Sequence, residues 1–237
     1  MTRCLLRNSD TEWLLFKEPR TILAARCLAD VVPMLAKAEE FVTRMNGYAA
    51  GYIAYEAAPA FDRALKSHAP GHLPLLVLGL FDAPQRLSEP PRSALTETRP
   101  TNWSMTTSRD QYIANLARIR EEIALGNTYQ VNYTTRLAAD RTPDPATLFA
   151  NMAIDSPYAA LLEFPEFAIV SASPELFFRQ DGTQLQCEPM KGTAERGLTA
   201  ESDDAQAAEL QASVKNRAEN VMITDMIRND LGRVARP

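Results

Sequence analysis

The sequence predicts an α+β fold in which antiparallel sheets pack with helices, and three observations predict it. Strand-like residues 176–179 and 183–188 flank Asp181-Gly182, a strong hairpin-turn signal. Apolar strand runs over residues 159–164 and 167–172 come before a stretch that is helical from Ser202 onward. Strands followed by helices, rather than alternating with them, point to antiparallel pairing.

The elements follow in chain order. Residues 1–83 mix short strands and helices, with a helix over residues 36–44, a strand over 48–55 and a buried strand over 73–81. Residues 84–105 read as a connector, because Pro84, Pro90, Pro91 and Pro100 suit neither a helix interior nor a central strand. The second region, residues 106–237, opens with a helix. Ser108 is its N-cap, with Gln111 three residues on, and Tyr112, Ile113, Leu116, Ile119 and Ile123 form its apolar stripe. Gly126 is placed to stop it. Residues 129–137 alternate with period two and predict a half-buried strand. Asp144-Pro145 predicts another helix start, with Asp as cap and Pro in the first turn. After the hairpin come two helical pieces, the second over about residues 214–230 with Gly232 as its stop.

Composition narrows the function. A net charge of −5 argues against a nucleic-acid surface while leaving room for a local basic pocket. The most apolar run, residues 73–81, is too short to span a bilayer. Cys4, Cys27 and Cys187 are odd in number and far apart, so neither a disulfide framework nor a zinc site is expected. Polar residues appear too early at the N-terminus for a secretory leader, and a reducing cytoplasm is the expected compartment.

Chemistry concentrates late in the chain. Lys191 sits in Pro189-Met190-Lys191-Gly192-Thr193, after a predicted strand. A loop lysine is ordinarily solvated, but here the Gly192 and Thr193 N–H groups could bind an anion in a tight turn. A lysine in a partly dry pocket becomes a usable nucleophile or base. Glu175, in Ser173-Pro174-Glu175, lies either at a solvent edge or in a cleft, where it could relay protons. Glu219 shares a helical face with Met222, Ile223 and Met226, and a carboxylate on such a face must be paired, protonated or metal-bound. Asp225, Arg228, Asn229 and Asp230 read as helix-terminal capping and salt bridging.

Four segments in order carry a family resemblance: residues 126–132 (Gly-Asn-Thr-Tyr-Gln-Val-Asn), 173–177 (Ser-Pro-Glu-Leu-Phe), 189–193, and 218–233 from Ala218-Glu219-Asn220 through Arg228-Asn229-Asp230. Together they resemble the chorismate-utilising enzymes, which include component I of aminodeoxychorismate and anthranilate synthases and the isochorismate and salicylate synthases. Residues 50–61 resemble the shorter N-terminal part of the aminodeoxychorismate synthases. So does Lys191, since anthranilate synthases typically carry alanine before the Gly-Thr pair. The resemblance implies an anthranilate synthase component I-like chorismate-binding fold. It implies that Lys191 attacks C2 of chorismate as the C4 hydroxyl departs, and that ammonia from a glutamine amidotransferase subunit then adds at C4 and expels the lysine. Glu175 would be the general acid/base, Gly192 and Thr193 would line the substrate pocket, and Glu219 would ligate Mg²⁺. The product would be 4-amino-4-deoxychorismate, a p-aminobenzoate and folate precursor. The alternatives are anthranilate or isochorismate synthesis, or a non-catalytic chorismate-binding fragment. Asn127 departs from the aspartate often found there. In the family the domain continues with further strands, a catalytic histidine and a second metal-binding glutamate. The resemblance therefore implies that residues 1–237 are an N-terminal part of it, with little or no synthase activity alone.

Overall fold

A computed structural model describes residues 1–91 and 101–235. Every strand pair in it is antiparallel. Strands β1 (Arg3–Ser9), β2 (Glu12–Lys17), β3 (Thr21–Ala25), β4 (Tyr48–Ile53), β5 (Leu76–Phe81) and β6 (Gln85–Leu87) come from the first part of the chain. The second part supplies β7 (Trp103–Met105), β8 (Leu137–Ala139), β9 (Tyr158–Glu163), β10 (Ala168–Ser173), β11 (Leu176–Asp181) and β12 (Gln184–Glu188). The helices are α1 (Leu28–Met45), α2 (Arg109–Ala124), α3 (Pro145–Met152), α4 (Ala200–Ala212) and α5 (Val214–Gly232), with a short 3₁₀ turn at Tyr55–Ala60.

A five-stranded sheet has the order β10-β9-β1-β2-β6, and a three-stranded sheet the order β3-β5-β4. Period-two alternation decides how they stack. Cys4 and Phe16 point to one face of the large sheet and meet Ala50 and Phe81 of the small one, with Met1 and Leu162 completing that core. Leu5, Trp13, Leu15 and Leu161 point to the other face, where Phe149 and Ala153 at α3 cover them. The outer face of the small sheet buries Ala25, Leu75 and Leu76 under Val31 of α1 and Ala57 of the 3₁₀ turn. The result is four layers: helix, sheet, sheet, helix. Burial between the sheets pushes the Cys4 thiol up to about 12.

The predicted α+β antiparallel class holds, with differences in particular elements. Helix α1 starts at Leu28 rather than near Ala36 and runs through Pro33. Burial of Val31 against the small sheet offsets the lost backbone hydrogen bond. The expected connector holds two short strands. Strand β6 is an edge strand on β2, where flanking prolines are tolerated, and β7 pairs with β8. Residues 92–100, including Pro100 of that connector, lie outside the described residues. The predicted strand over residues 129–137 is corrected: only Leu137–Ala139 is a strand. Alternation gives a segment a face, but a strand also needs a neighbour for its ladder, and no described strand pairs with residues 129–136.

The expected caps are present. Ser108 Oγ accepts the Gln111 N–H at 3.2 Å. Asp144 Oδ2 accepts both the Thr147 N–H at 2.8 Å and its hydroxyl at 2.7 Å. Those two hydrogen bonds hold the Asp144 carboxyl below the usual carboxylate range. A depressed folded value means the stabilisation is present above the unfolded value and is lost as pH falls through the folded one. Asp144→Ala is therefore expected to cost about 1 kcal/mol at pH 7 and much less at pH 3, as read by urea melts at the two pH values.

Candidate active site

The hairpin explains how residues distant in sequence meet. Strands β11 and β12 pair with Asp181 opposite Gln184, and after a register shift Leu176 faces Glu188. That pairing carries Glu175 to the far end of the hairpin, against the segment that follows β12. There Glu175 Oε1 accepts the Met190 N–H at 3.1 Å. The Ser173 hydroxyl braces the turn, donating to the Glu175 carbonyl at 3.0 Å and accepting the Glu175 N–H at 3.4 Å. One carboxylate oxygen of Glu175 thus holds the backbone beside Lys191.

The lysine loop then turns at Gly192, whose φ of +76° suits glycine. A Cβ there would also lie 3.0 Å from the Asn216 side chain on α5. Gly192 therefore seats the loop against the first turns of α5. Downstream, the Arg196 guanidinium forks onto Asp203 of α4 at 2.7 and 2.6 Å, and the Gly197 N–H adds a bond of 2.9 Å to the same carboxylate. These contacts hold the Asp203 carboxyl below its ordinary value, the arginine hydrogen bonds first among them.

Lys191 lines a cavity of about 780 Å³ with Ala212, Asn216, Arg217, Asn220 and Val221. The cavity faces solvent at the α4–α5 junction. Two cations and the amides of Gln211, Asn216 and Asn220 make it suited to an anion, although the chain as a whole is acidic. Thr193 lines a neighbouring cleft with Glu195, Gln206 and Asn216.

Glu219 is half-buried on the face of α5 that also carries Asn216, Asn220 and Ile223. It makes no hydrogen bond or ion pair among the described residues. Met226, expected on that face, is 44% exposed and meets the Tyr129 hydroxyl. Arg228 pairs with Asp225 at 3.1 Å, the salt bridge expected of that cluster. Among the described residues no group of three or more His, Cys, Asp and Glu converges on a metal position. Among the described residues, α5 thus offers a metal the unpaired carboxylate of Glu219. It fits an ion such as Mg²⁺ only as one ligand among substrate oxygens and water.

The structure brings Lys191, Gly192 and Glu175 together, and places Glu219 one turn along α5 from the residue Gly192 touches. Arg217, Asn216, Asn220, Tyr158 and Glu188 were not anticipated. Counting back from the Asp181-Gly182 turn would have set Glu175 within a residue of Met190 and put Glu188 at the same end.

A family model described as chorismate binding enzyme matches residues 3–237, nearly the whole chain. The chain belongs to the chorismate binding enzymes. Among relatives of this chorismate binding enzyme, an aminodeoxychorismate synthase component 1 from Escherichia coli is 39% identical over 140 residues. That match takes in 58% of this chain and 31% of the relative. An anthranilate synthase component 1 from Haloarcula marismortui is 37% identical over 142 residues, 59% of this chain and 29% of the relative. The match thus spans about a third of the length of these relatives. A crystal structure of a 2,3-dihydroxybenzoate-specific isochorismate synthase from Bacillus anthracis shares the fold with a TM-score of 0.70 at 17% identity, over 97% of this chain and 60% of that one. No helix among the described residues is long and apolar enough to cross a membrane.

Proposed function

We propose that this chain carries the chorismate-converting residues of an aminodeoxychorismate synthase component I. The observation that carries the reading is Lys191, held between the Glu175 bond to Met190 and the Gly192 turn, and facing a cavity that also holds Arg217. A lone cation would serve to bind a carboxylate. A cation presented on a fixed loop beside a second cation can bind and also react. The Escherichia coli relative named for this activity supports the assignment.

In this reading the Lys191 amine forms a bond to C2 of chorismate and loses a proton, both ring double bonds shift by one position, and the C4 hydroxyl leaves. The oxygen of Glu175 not engaged by Met190 would protonate that hydroxyl, so that it departs as water. Ammonia, supplied by a glutamine amidotransferase partner, then bonds at C4 and gives up a proton, and both double bonds shift back as the lysine amine is expelled from C2 and takes one up. Gly192 and Thr193 line the substrate side of the loop. Glu219 would give one carboxylate oxygen to Mg²⁺, which when bound would neutralise a substrate carboxylate. The open cavity at Lys191 supports the expectation of little turnover by residues 1–237 alone, because a lysine nucleophile works best when water is excluded. The free cysteines suit a reducing cytoplasm.

The test is incubation with chorismate, an ammonium salt and Mg²⁺, with the product identified by mass spectrometry. The protein is best expressed over its whole reading frame. Aminodeoxychorismate is expected. Anthranilate or isochorismate would reassign the reaction, and chorismate binding by calorimetry without any product would reduce the chain to a binding module.

A further inference from the structure

We propose that Tyr158 and Glu188 are positioning residues that fix the lysine loop to the core sheet. The inference rests on the reading of Lys191 as the reacting amine. Tyr158 opens β9 and pairs with Ser173, the last residue of β10, so it stands at the junction where the large sheet hands over to the hairpin. Its hydroxyl donates to Glu188 Oε2 at 2.8 Å. The Gln186 side-chain amide donates to Glu188 Oε1 at 2.6 Å. Each oxygen of that carboxylate therefore has its own donor, which leaves it one orientation. The Glu188 bond also raises the Tyr158 hydroxyl above its ordinary titration range, so the donor keeps its proton.

Consecutive positions are then pinned by different means. The Glu188 side chain is tied to β9, the Pro189 ring fixes its own φ, the Met190 N–H is held by Glu175, and Gly192 turns against Asn216. Lys191 is the one residue of this run whose side chain is left to face the cavity. Strand β9 is anchored by Ala159, Leu161 and Leu162, all buried. The Tyr158–Glu188 contact therefore transfers the rigidity of the core to a surface loop. An ångström of misplacement at a reacting group can cost a hundredfold in rate, so such a tether has chemical value even where it adds little stability.

The experiment measures amide exchange at Met190 and Lys191 by NMR, together with the acylation rate of Lys191 relative to Lys215 by peptide mapping. Tyr158→Phe and Glu188→Ala are each expected to speed Met190 exchange about fivefold, the worth of one net hydrogen bond. Each should also change the Lys191 acylation rate while leaving that of Lys215 alone. Glu188→Gln should restore the wild-type rates, since its carbonyl still accepts from Tyr158 and Gln186 can turn its own amide. The double variant should be no faster than Glu188→Ala alone, because that substitution already removes the Tyr158 contact. Wild-type exchange in Tyr158→Phe, or additive effects in the double variant, would overturn the proposal. So would equal acceleration at Leu161 and Leu162, which would make the pair a general stabiliser. These readings need no turnover. If Lys191 proves not to be the reacting amine, exchange still shifts while no covalent chorismate adduct forms, and the two failures are told apart.

Discussion

Lys191→Ala is expected to lower aminodeoxychorismate formation on the order of a thousandfold in the protein expressed over its whole reading frame, measured by product chromatography. The expectation has two parts that substitution can separate. Lys191 contributes positive charge to a cavity it shares with Arg217, and it contributes an amine. Lys191→Arg keeps the charge but not the nucleophile, because a guanidinium stays protonated at any working pH. The arginine variant should therefore hold KM near the wild-type value and lose kcat, while the alanine variant loses both. An active Lys191→Arg enzyme would show that the group acts by charge alone. Intact-mass measurement of the trapped protein gives an independent reading, since a covalent chorismate adduct should appear only where lysine stands at this position. Lys215, the next lysine along the chain, is exposed on the first turn of α5 and serves as the control.

Phe81→Ala is expected to destabilise the fold by about 3–5 kcal/mol, measured by chemical denaturation with Trp13 fluorescence as the probe. Phe81 is 2% exposed and lies between the two sheets, its ring 5.1 Å from that of Phe16. It belongs to β5, the central strand of the small sheet, while Phe16 belongs to the large one. Truncation opens a cavity that neither sheet can fill without shifting relative to the other. The loss is a large fraction of the stability of a typical domain. Phe177→Ala, at 86% exposure on the hairpin, should leave the same midpoint within about 0.5 kcal/mol. A small effect at Phe81 together with a large one at Phe177 would mean that the burial pattern described here is inverted.

Sequence signals read correctly wherever local physics decides the outcome. The Ser108 and Asp144 caps, the Asp181-Gly182 hairpin and the strand at β4 are each determined by a few adjacent residues, and each is found where expected. The errors fall where a distant partner decides. Helix α1 is extended by burial of Val31 under a sheet that sequence periodicity cannot see. Residues 129–136 alternate like a strand yet have no described strand beside them. The site divides in the same way. Lys191, Gly192 and Glu175 were legible because loop chemistry and a tight turn leave a mark on the sequence. Tyr158 and Arg217 were not, because a tyrosine at a strand start and an arginine in a helix look ordinary until register and packing bring them to the loop. The backbone bond from Glu175 to Met190 was equally invisible, and it gives that carboxylate a mechanical duty beside the proposed proton transfer.

The placement of β1 has a consequence for how the chain is made. The strand begins at Arg3, yet one of its two neighbours is β9, with Arg3 opposite Glu163. At ribosomal speeds of about 5–20 residues per second, the β1–β2 hairpin waits roughly seven to thirty seconds before its second partner is synthesised. Throughout that interval Leu5 lacks the strand that later flanks it, and one ladder of backbone donors and acceptors is open. Such an edge is a template for pairing with another nascent copy. The domain is thus one whose first strand stays half-open until β9 has been made, and its yield in the cell should depend on translation rate and on chaperones that shield β-edges, more than its equilibrium stability would suggest.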